Sequence, residues 1–246
     1  MNIIKLNAID STNSFIKNLA NKKALENYTV VMAEHQTLGR GQVGTTWISN
    51  KGKNLTFSVL ISVENLRIEN QFYLSMAVSL GILEALNRDV KIPLMVKWPN
   101  DILSDKDKVA GILIENILAG VTIRQSIIGI GLNVNQTVFP TEIGPATSLK
   151  NLTGKNYDRD DLLRKIINSI QYYVKFLEDY KFDDLKKLYL ESLYKFEKPM
   201  MFEDKEGVIF LGKIIDVDEN GRLVIELENE TARKFSLKEI KFANRL

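Results

Sequence analysis

The stretch Ile128-Gly129-Ile130-Gly131-Leu132-Asn133-Val134-Asn135 alternates apolar residues with glycine or asparagine. Because successive side chains of a β-strand point to opposite faces of a sheet, the pattern predicts a strand from about Thr122 to Val134 with one core face and one bare, polar face. Glycine is uncommon inside a strand unless another group approaches the backbone closely. The bare face therefore indicates either a surface on which a flat ligand lies or one on which a helix packs closely.

The segments around this strand predict further strands and helices. Alternating or β-branched residues predict strands at about residues 28–33, 55–61, 95–98 and 109–117. The 55–61 strand is predicted to be half-buried, because its apolar residues alternate with Thr56 and Ser58. Apolar residues at helical spacing predict helices at about residues 13–22, 70–87, 158–180 and 182–194. Pro99-Asn100-Asp101 predicts a turn, because proline lacks the backbone donor that a strand needs.

The C-terminal residues have a different pattern, with short β segments at about residues 200–203, 207–217, 222–227 and 231–236. Glu219-Asn220-Gly221 between two of these segments is a strong hairpin signal. The pattern predicts a small SH3-like barrel, which is too small for a large core of its own. We therefore predict a domain boundary near Phe196, with one domain at residues 1–196 and a second at residues 197–246.

Composition excludes several classes of function. The chain has 246 residues, of which 45% are hydrophobic, and 33 basic residues against 31 acidic ones give a net charge of +2. This balance gives no general attraction to nucleic acid or to an anionic membrane. The absence of cysteine excludes disulfides and thiol catalysis, and the single histidine, His35, cannot form a multi-histidine metal centre. With no secretory signal in the sequence, we expect a cytoplasmic protein.

The segment Ala33–Trp47 contains Gly39, Gly41 and Gly44 around Arg40. Glycines leave backbone N–H groups unshielded, and arginine supplies a fixed positive charge, so the segment can wrap around a phosphate or a carboxylate. An ordinary glycine-containing surface loop with a solvated arginine explains the same residues equally well.

Two later motifs add charged groups. Lys97-Trp98-Pro99-Asn100-Asp101 places a carboxylate on a turn, and Lys108 opens the motif that continues to Glu115. Arg40 and Lys108 together can neutralise an attacking carboxylate and a phosphate, which otherwise repel each other. Asp101 can then orient or deprotonate an incoming amine. No Walker loop is present, so ATP, if used, must be bound in another way.

The chain resembles the biotin protein ligases in the order and spacing of these motifs, of which Lys97 to Asp101 is the most diagnostic. The matching segments are Ser11-Thr12-Asn13, Gln36 to Gly41, Trp47, Lys97 to Asp101, Lys108 to Gly111 and Gly129 to Asn133. The resemblance implies an α+β fold with helices packed on a mixed, mostly antiparallel sheet, plus the C-terminal SH3-like barrel. It also implies a two-step reaction: biotin and MgATP give biotinyl-5′-AMP, and a lysine of a biotin carboxyl carrier domain then accepts the biotinyl group.

The resemblance assigns a role to each matching residue. For biotin it implies contacts from Ser11, Thr12, Asn13, Gln36, Gly39, Arg40, Gly41, Trp47, Lys108 and Gly111. For the nucleotide it implies contacts from Arg40, Trp47, Lys97, Asn100, Lys108, Gly131 and Asn133. Arg40, Lys108 and Asp101 would be the catalytic residues, with Lys108 bridging carboxylate and phosphate and Asp101 facing the acceptor lysine. No protein metal site is implied, because Mg²⁺ would arrive with ATP and be held by phosphates and water.

The sequence departs from the family pattern at three places. Gln42 and Thr45 stand where many members have arginines, so another basic residue such as Lys51 or Lys53 is needed if that charge is replaced. Lys238 stands where members often have glycine, so the role of the C-terminal barrel in nucleotide binding stays open. Because Met1 lies ten residues before the first motif, we expect no N-terminal DNA-binding domain and no repressor activity.

Three other functions remain open on these residues. A ligase of the same fold could use lipoate or octanoate, although such an acid needs an apolar tunnel and has no use for Ser11, Thr12 and Gln36. The chain could also be a non-catalytic biotin-binding protein, or the barrel could be a protein-interaction module. We expect biotin, ATP and a carrier domain as partners, and neither DNA nor a membrane. A second copy of the chain in a homodimer is a further candidate partner.

Overall fold

The structure, a computed structural model, describes residues 1–42, 44–89 and 91–243, without the side chain of Asp89. Val43, which belongs to the predicted glycine loop, lies outside the described residues, as do Val90 and residues 244–246. Within the described residues the strands form two sheets, one of seven strands and one of five.

The larger sheet contains strands from the first half of the chain. They are β1 (Ile3–Leu6), β2 (Val30–Ala33), β3 (Leu55–Ile61), β4 (Leu94–Lys97), β5 (Asp101–Ser104), β6 (Asp107–Ala119) and β7 (Thr122–Leu132). Their order across the sheet is β1-β2-β3-β7-β6-β5-β4. The β1–β2 pair is parallel and the other pairs are antiparallel, which confirms the predicted mixed, mostly antiparallel sheet.

Helices cover both faces of this sheet. They are α1 (Thr12–Lys22), α2 (Gln71–Asp89), α3 (Leu149–Thr153), α4 (Arg159–Glu178) and α5 (Phe182–Glu191). Helix α1 packs on one face, where Ile16 contacts Val31, Leu60 and Ile127. The other helices share the main core with the opposite face, through buried residues such as Leu74. Ser11 caps the N-terminus of α1, because its side chain accepts a hydrogen bond from Ser14 N.

Three details of this sheet differ from the sequence predictions. All of β3 is buried rather than half-buried, because α1 covers the face that carries Ser58. Strand β1 was not predicted, since its four residues are defined by pairing with β2, a distant segment. Strand β5 was not predicted, since Asp101 was assigned to the turn after Pro99, yet the strand pairs with both β4 and β6. The short helix α3 was also not predicted.

The smaller sheet is antiparallel and C-terminal. Its strands are β8 (Pro199–Asp204), β9 (Ile209–Val217), β10 (Leu223–Leu227), β11 (Ala232–Phe235) and β12 (Ile240–Phe242). Their order is β11-β10-β9-β8-β12, consistent with the predicted SH3-like barrel. The predicted hairpin turn joins β9 to β10, with Gly221 in the left-handed region at φ 80°.

The two sheets contact each other. Trp98 Nε1, at the end of β4, donates a hydrogen bond of 2.9 Å to the carbonyl oxygen of Gly221. Phe202 and Ile214 of the small sheet belong to the same cluster of buried apolar residues as the helices of the large one. The boundary near Phe196 stays a prediction, and the core runs across it.

Candidate active site

A cavity of about 260 Å³ lies on the face of the large sheet that α1 covers. Its walls include the start of α1, the glycine loop and the central strands β6 and β7. The predicted biotin-site residues that line it are Ser11, Thr12, Asn13, Gln36, Arg40, Gly41, Trp47, Lys108 and Gly111. Three other predicted site residues, Asn100, Asp101 and Gly131, also line the cavity. Residues that are more than one hundred positions apart in sequence therefore meet in one place.

Three predicted site residues do not line this cavity. Gly39 packs beneath Trp47, where an added Cβ would overlap the carbonyl oxygen of Trp47. The side chain of Lys97 faces the small sheet, with Nζ 6.0 Å from the ring centroid of Phe242. Asn133 is buried, and its amide nitrogen Nδ2 donates a hydrogen bond of 3.3 Å to the carbonyl oxygen of Lys108. In this structure Asn133 thus supports the backbone of Lys108.

One end of the cavity is a network of uncharged polar groups. Gln36 Oε1 accepts hydrogen bonds from the backbone N–H of Thr12 at 2.8 Å and from its hydroxyl at 3.0 Å. Ser58 Oγ lies 2.6 Å from Thr12 Oγ1 and donates to Asn13 Oδ1 at 2.5 Å. Ser58 was not predicted as a site residue. Its place on the polar side of β3 was the feature of the sequence that could have indicated this role. These groups offer donors and acceptors to a ligand with several polar atoms.

The floor of the cavity is the glycine face of β6 and β7. A Cβ added to Gly131 would overlap the indole ring of Trp47, and one added to Gly129 would lie 2.5 Å from Asn13 Oδ1. A Cβ added to Gly111 would lie 3.2 Å from the indole Cζ3 of Trp47, which is a tight contact rather than an overlap. The bare face predicted from the sequence therefore receives a flat aromatic side chain and a residue of α1.

Lys108 and Asp101 form an ion pair at the other end, with Lys108 Nζ 2.6 Å from Asp101 Oδ1. Asp101 Oδ1 is buried and has no hydrogen-bond partner at a suitable angle, so the contact is electrostatic rather than a directed hydrogen bond. The register between β5 and β6 shifts beside Ile102 and Leu103, which marks a bulge next to Lys108. Bulges of this kind redirect side chains, and here Lys108 Nζ lies 5.7 Å from the centroid of the Trp47 ring.

Arg40 is paired with Glu115, a residue of β6. Its Nη1 donates to Glu115 Oε1 at 3.2 Å and its Nη2 to Oε2 at 2.7 Å, which is a bidentate contact. Asn13 Nδ2 donates to the same Oε2 at 2.8 Å. No role was predicted for Glu115, because nothing in the local sequence pattern shows a partner 75 residues away. Both cations predicted to bind ligand anions therefore contact carboxylates of the protein here.

The glycine loop is fixed at both ends. On the N-terminal side, the backbone N–H of Leu38 donates to the carbonyl oxygen of Asp10 at 3.0 Å. On the C-terminal side, the buried Gln136 accepts hydrogen bonds from Asn50 N at 2.9 Å and from Asn54 Nδ2 at 2.7 Å. These hydrogen bonds hold both flanks of the glycine loop against the rest of the domain.

A groove of about 1470 Å³ adjoins the cavity, between the β4–β5 edge and the small sheet. The residues that line both spaces are Asp101, Lys108, Leu237 and Lys238. Lys238 has a φ of 67°, a left-handed conformation that favours glycine, and it is the position at which the family often has glycine. Lys238, rather than Lys51 or Lys53, is thus the additional basic residue among the described residues that line the cavity.

Comparison with known proteins identifies the family. Residues 6–133 match the Biotin/lipoate A/B protein ligase family. The chain is 30% identical over 235 residues to the bifunctional ligase/repressor BirA of Bacillus subtilis, covering 94% of this chain and 71% of that protein. The chain belongs to the biotin/lipoate A/B protein ligase family. It is also 29% identical over 214 residues to the biotin acetyl-CoA-carboxylase ligase of Mycobacterium tuberculosis, over 82% of this chain and 74% of that one.

Solved structures of this ligase family agree with that assignment. The biotin protein ligase of Aquifex aeolicus in complex with biotin and ATP matches 98% of this chain and 99% of its own, with 29% identity and a TM-score of 0.81. Its apo structure matches with 26% identity and a TM-score of 0.75. The family, the fold and the ligase class predicted from the motifs are confirmed, while the role of each residue stays a prediction.

Two further properties of the ligase fold bear on partners. In the described part of the chain, no helix is both long enough and apolar enough to cross a membrane. Among residues 1–42, 44–89 and 91–243, no three acidic or histidine side chains are grouped so that they could hold a metal ion.

Proposed function

We propose that this ligase activates biotin with MgATP and transfers it to a lysine of a biotin carboxyl carrier domain. In the first step a biotin carboxylate oxygen attacks the α-phosphorus, the bond to the β-phosphate breaks, and pyrophosphate leaves. In the second step the lysine amine attacks the acyl carbon, loses a proton, and AMP leaves. The observation that carries the proposal is that one cavity has an uncharged polar network at one end and the Lys108–Asp101 pair at the other.

The polar end suits the cyclic urea of biotin. A ureido group has two N–H donors and a carbonyl acceptor, and Ser11, Thr12, Asn13 and Gln36 supply both kinds of partner. Thr12 and Gln36 are already bonded to each other, so they form a prearranged surface rather than flexible groups. The valeryl chain of biotin would then run from this end of the cavity toward Lys108.

The charged end of the cavity suits two anions that must react with each other, a carboxylate and a phosphate. Lys108 lies between Asp101 and the ring of Trp47, where it can bind the biotin carboxylate and the α-phosphate together. Arg40 lines the same cavity and can contact the same groups. Fixed cations of this kind lower the repulsion between the reactants and stabilise charge that develops during attack. Asn100 and Gly131 would contact the nucleotide beside them.

The position of Asp101 supports a role in the transfer step. It lines both the cavity and the adjoining groove, so an acceptor lysine that enters through the groove would reach the activated acyl group beside its carboxylate. The carboxylate can orient the amine and accept its proton once Lys108 contacts the ligand. Four statements stay proposals: transfer to a carrier domain, a homodimer, a cytoplasmic location and the absence of repressor activity.

Pyrophosphate release tests which acid the protein activates. The protein should release pyrophosphate from MgATP with biotin, and far more slowly with lipoate or octanoate, because an aliphatic chain leaves the polar end without ligand partners. Mass spectrometry of a carrier domain after incubation with protein, biotin and MgATP should show one added biotinyl group. Release with lipoate alone would favour the lipoate ligase, and binding of biotin without release would favour a non-catalytic protein.

A further inference from the structure

We propose that Lys238, a residue of the small sheet, binds the β- and γ-phosphates of ATP. Among the described residues that line the cavity, the basic ones are Arg40, Lys108 and Lys238. The first two are proposed to contact the biotin carboxylate and the α-phosphate, which leaves the outer phosphates without a cation. The proposal rests on the proposed function, because ATP is taken to be the cosubstrate.

Lys238 lies in the turn between β11 and β12, where the small sheet reaches the edge of the cavity. Lys238 and Leu237 line both the cavity and the groove, as do Asp101 and Lys108 of the large sheet. Phosphates that extend from the α-phosphate at Lys108 toward the groove would therefore come near Lys238. A lysine ammonium group suits them, because it carries three rotatable donors and a full positive charge.

The turn that carries Lys238 is held on both sides. Ser236 N donates to Glu239 Oε2 at 2.7 Å, and Glu239 N donates to the carbonyl oxygen of Ser236 at 3.1 Å. Before the turn Phe235 is buried in the main core, and after it Ile240 packs against the same core. The backbone of Lys238 is therefore held at the cavity edge, and its side chain supplies the reach.

The residue type at position 238 fits a binding role better than a backbone role. Lys238 has a φ of 67°, in the left-handed region that favours glycine, and the family often has glycine here. Non-glycine residues in this conformation cluster at binding sites. Gln42 and Thr45, which line the same cavity, stand where many members have arginines. Lys238 returns one of these two positive charges from the opposite sheet.

The other two cations of the cavity are already in contact with carboxylates of the protein. Lys108 contacts Asp101, and Arg40 contacts Glu115. ATP brings several negative charges, most of them on the β- and γ-phosphates. Lys238 adds a cation at the side of the cavity where the groove opens, which is where the leaving pyrophosphate would have room to depart.

Lys238→Gly tests the proposal, because glycine removes the ammonium group and fits the backbone conformation better than lysine does. The KM for MgATP in adenylation at saturating biotin should rise about tenfold, as expected for the loss of a hydrogen bond to a charged group. The inhibition constant of magnesium pyrophosphate should rise by a similar factor. The inhibition constant of AMP, which lacks the outer phosphates, and the Kd for biotin should stay unchanged. The midpoint of thermal unfolding should not fall.

Lys195→Gly is the matched control. Lys195 is also a lysine in the left-handed region, at φ 60°, and it lines the groove without being among the described residues that line the cavity. Its replacement should leave the KM for MgATP unchanged. Lys238→Arg, which keeps the charge, should retain most of the affinity for MgATP. Lys238→Gln, which keeps a polar side chain without the charge, should behave like Lys238→Gly.

Several results would overturn the proposal. They are an unchanged KM for MgATP in Lys238→Gly, an equal rise in Lys195→Gly, and an equal rise in the inhibition constant of AMP. A rise confined to the KM for the carrier domain would also overturn it and would assign Lys238 to the acceptor instead. If the wild-type protein releases no pyrophosphate with biotin, the proposed function fails. Calorimetry with magnesium pyrophosphate on wild type and Lys238→Gly would still report whether Lys238 binds linked phosphates, so the two failures can be distinguished.

Discussion

Gly131→Ala offers a direct test of the glycine floor. The added Cβ would lie 2.5 Å from Cζ2 and 2.6 Å from Cδ2 of the Trp47 indole, whereas carbon atoms in good contact are about 3.5–4.0 Å apart. One partner must therefore move by about 1 Å. Strand β7 is paired on both sides, with β3 and β6, so the ring and its loop will move rather than the sheet.

The expected result is a loss of activity that is much larger than the loss of stability. Misplacing a catalytic group by about 1 Å can lower a rate by about 10²-fold, and we expect a reduction of this order in adenylate formation. Trp47 is only partly buried and lies on a loop, so the free energy of unfolding should fall by less than about 1 kcal/mol.

Single-turnover pyrophosphate release and thermal unfolding measure the two quantities separately. The emission of Trp47, recorded in a Trp98→Phe background because the chain has two tryptophans, should report the displaced ring. In a Trp47→Ala background, Gly131→Ala should reduce the rate much less, because no ring remains to be displaced. An adenylation rate within about twofold of wild type for Gly131→Ala would refute the reasoning.

Four other substitutions or conditions give clear expectations. Lys108→Ala should lose about 2–4 kcal/mol of transition-state stabilisation in adenylation, measured as the ratio of kcat/KM values. Asp101→Asn should slow transfer to the carrier more than adenylation in a single-turnover assay of each step. Biotin with MgATP should protect residues 40–48 from proteolysis while cleavage elsewhere is unchanged. Burial raises the pKa of Asp218, but hydrogen bonds from Arg222 and Lys234 outweigh it and hold that pKa below its usual value. Because a lowered carboxyl pKa stabilises the fold above the unfolded pKa near 3.9, Asp218→Asn should lose about 1–3 kcal/mol in urea unfolding at pH 7, and the difference should shrink as pH falls below about 4.

Each of these predictions would be contradicted by a specific result. Normal adenylation by Lys108→Ala would exclude its bridging role, and equal slowing of both steps in Asp101→Asn would exclude a specific role in transfer. Cleavage at residues 40–48 that ignores the ligands would mean that the loop does not close on them. A stability difference for Asp218→Asn that is constant from pH 7 to pH 3 would mean that its charge is not the source.

The sequence predicted those features whose cause is local. The alternation around Gly129 and Gly131 depends on neighbouring residues, so the strand and its bare face could be predicted correctly. Helix α4 likewise begins where Asp158 supplies the cap, within one residue of the prediction. The features that were missed depend on distant partners: β1 exists because it pairs with β2, and β5 because β4 and β6 lie on either side.

The same difference between local features and features that depend on distant partners applies to the residues of the site. Arg40, Asp101 and Lys108 were predicted because their motifs are contiguous, and the structure places all three in one cavity. Glu115 and Ser58 act through contacts that span 75 and 45 residues of the chain, and no local pattern reveals such contacts. Asn133 belongs to a matching motif, yet burial and its bond to Lys108 direct its side chain away from the cavity.

The apolar core continues from the large sheet into the small one, and this has a consequence for how the protein unfolds. Elements that share one set of buried side chains lose them together, so heating should give one cooperative transition rather than two. The C-terminal fifty residues, excised as a separate peptide, would lose the surface against which Trp98 and Gly221 join the sheets. Such a fragment should be largely unstructured, and adding it back to the truncated remainder should restore order to both pieces.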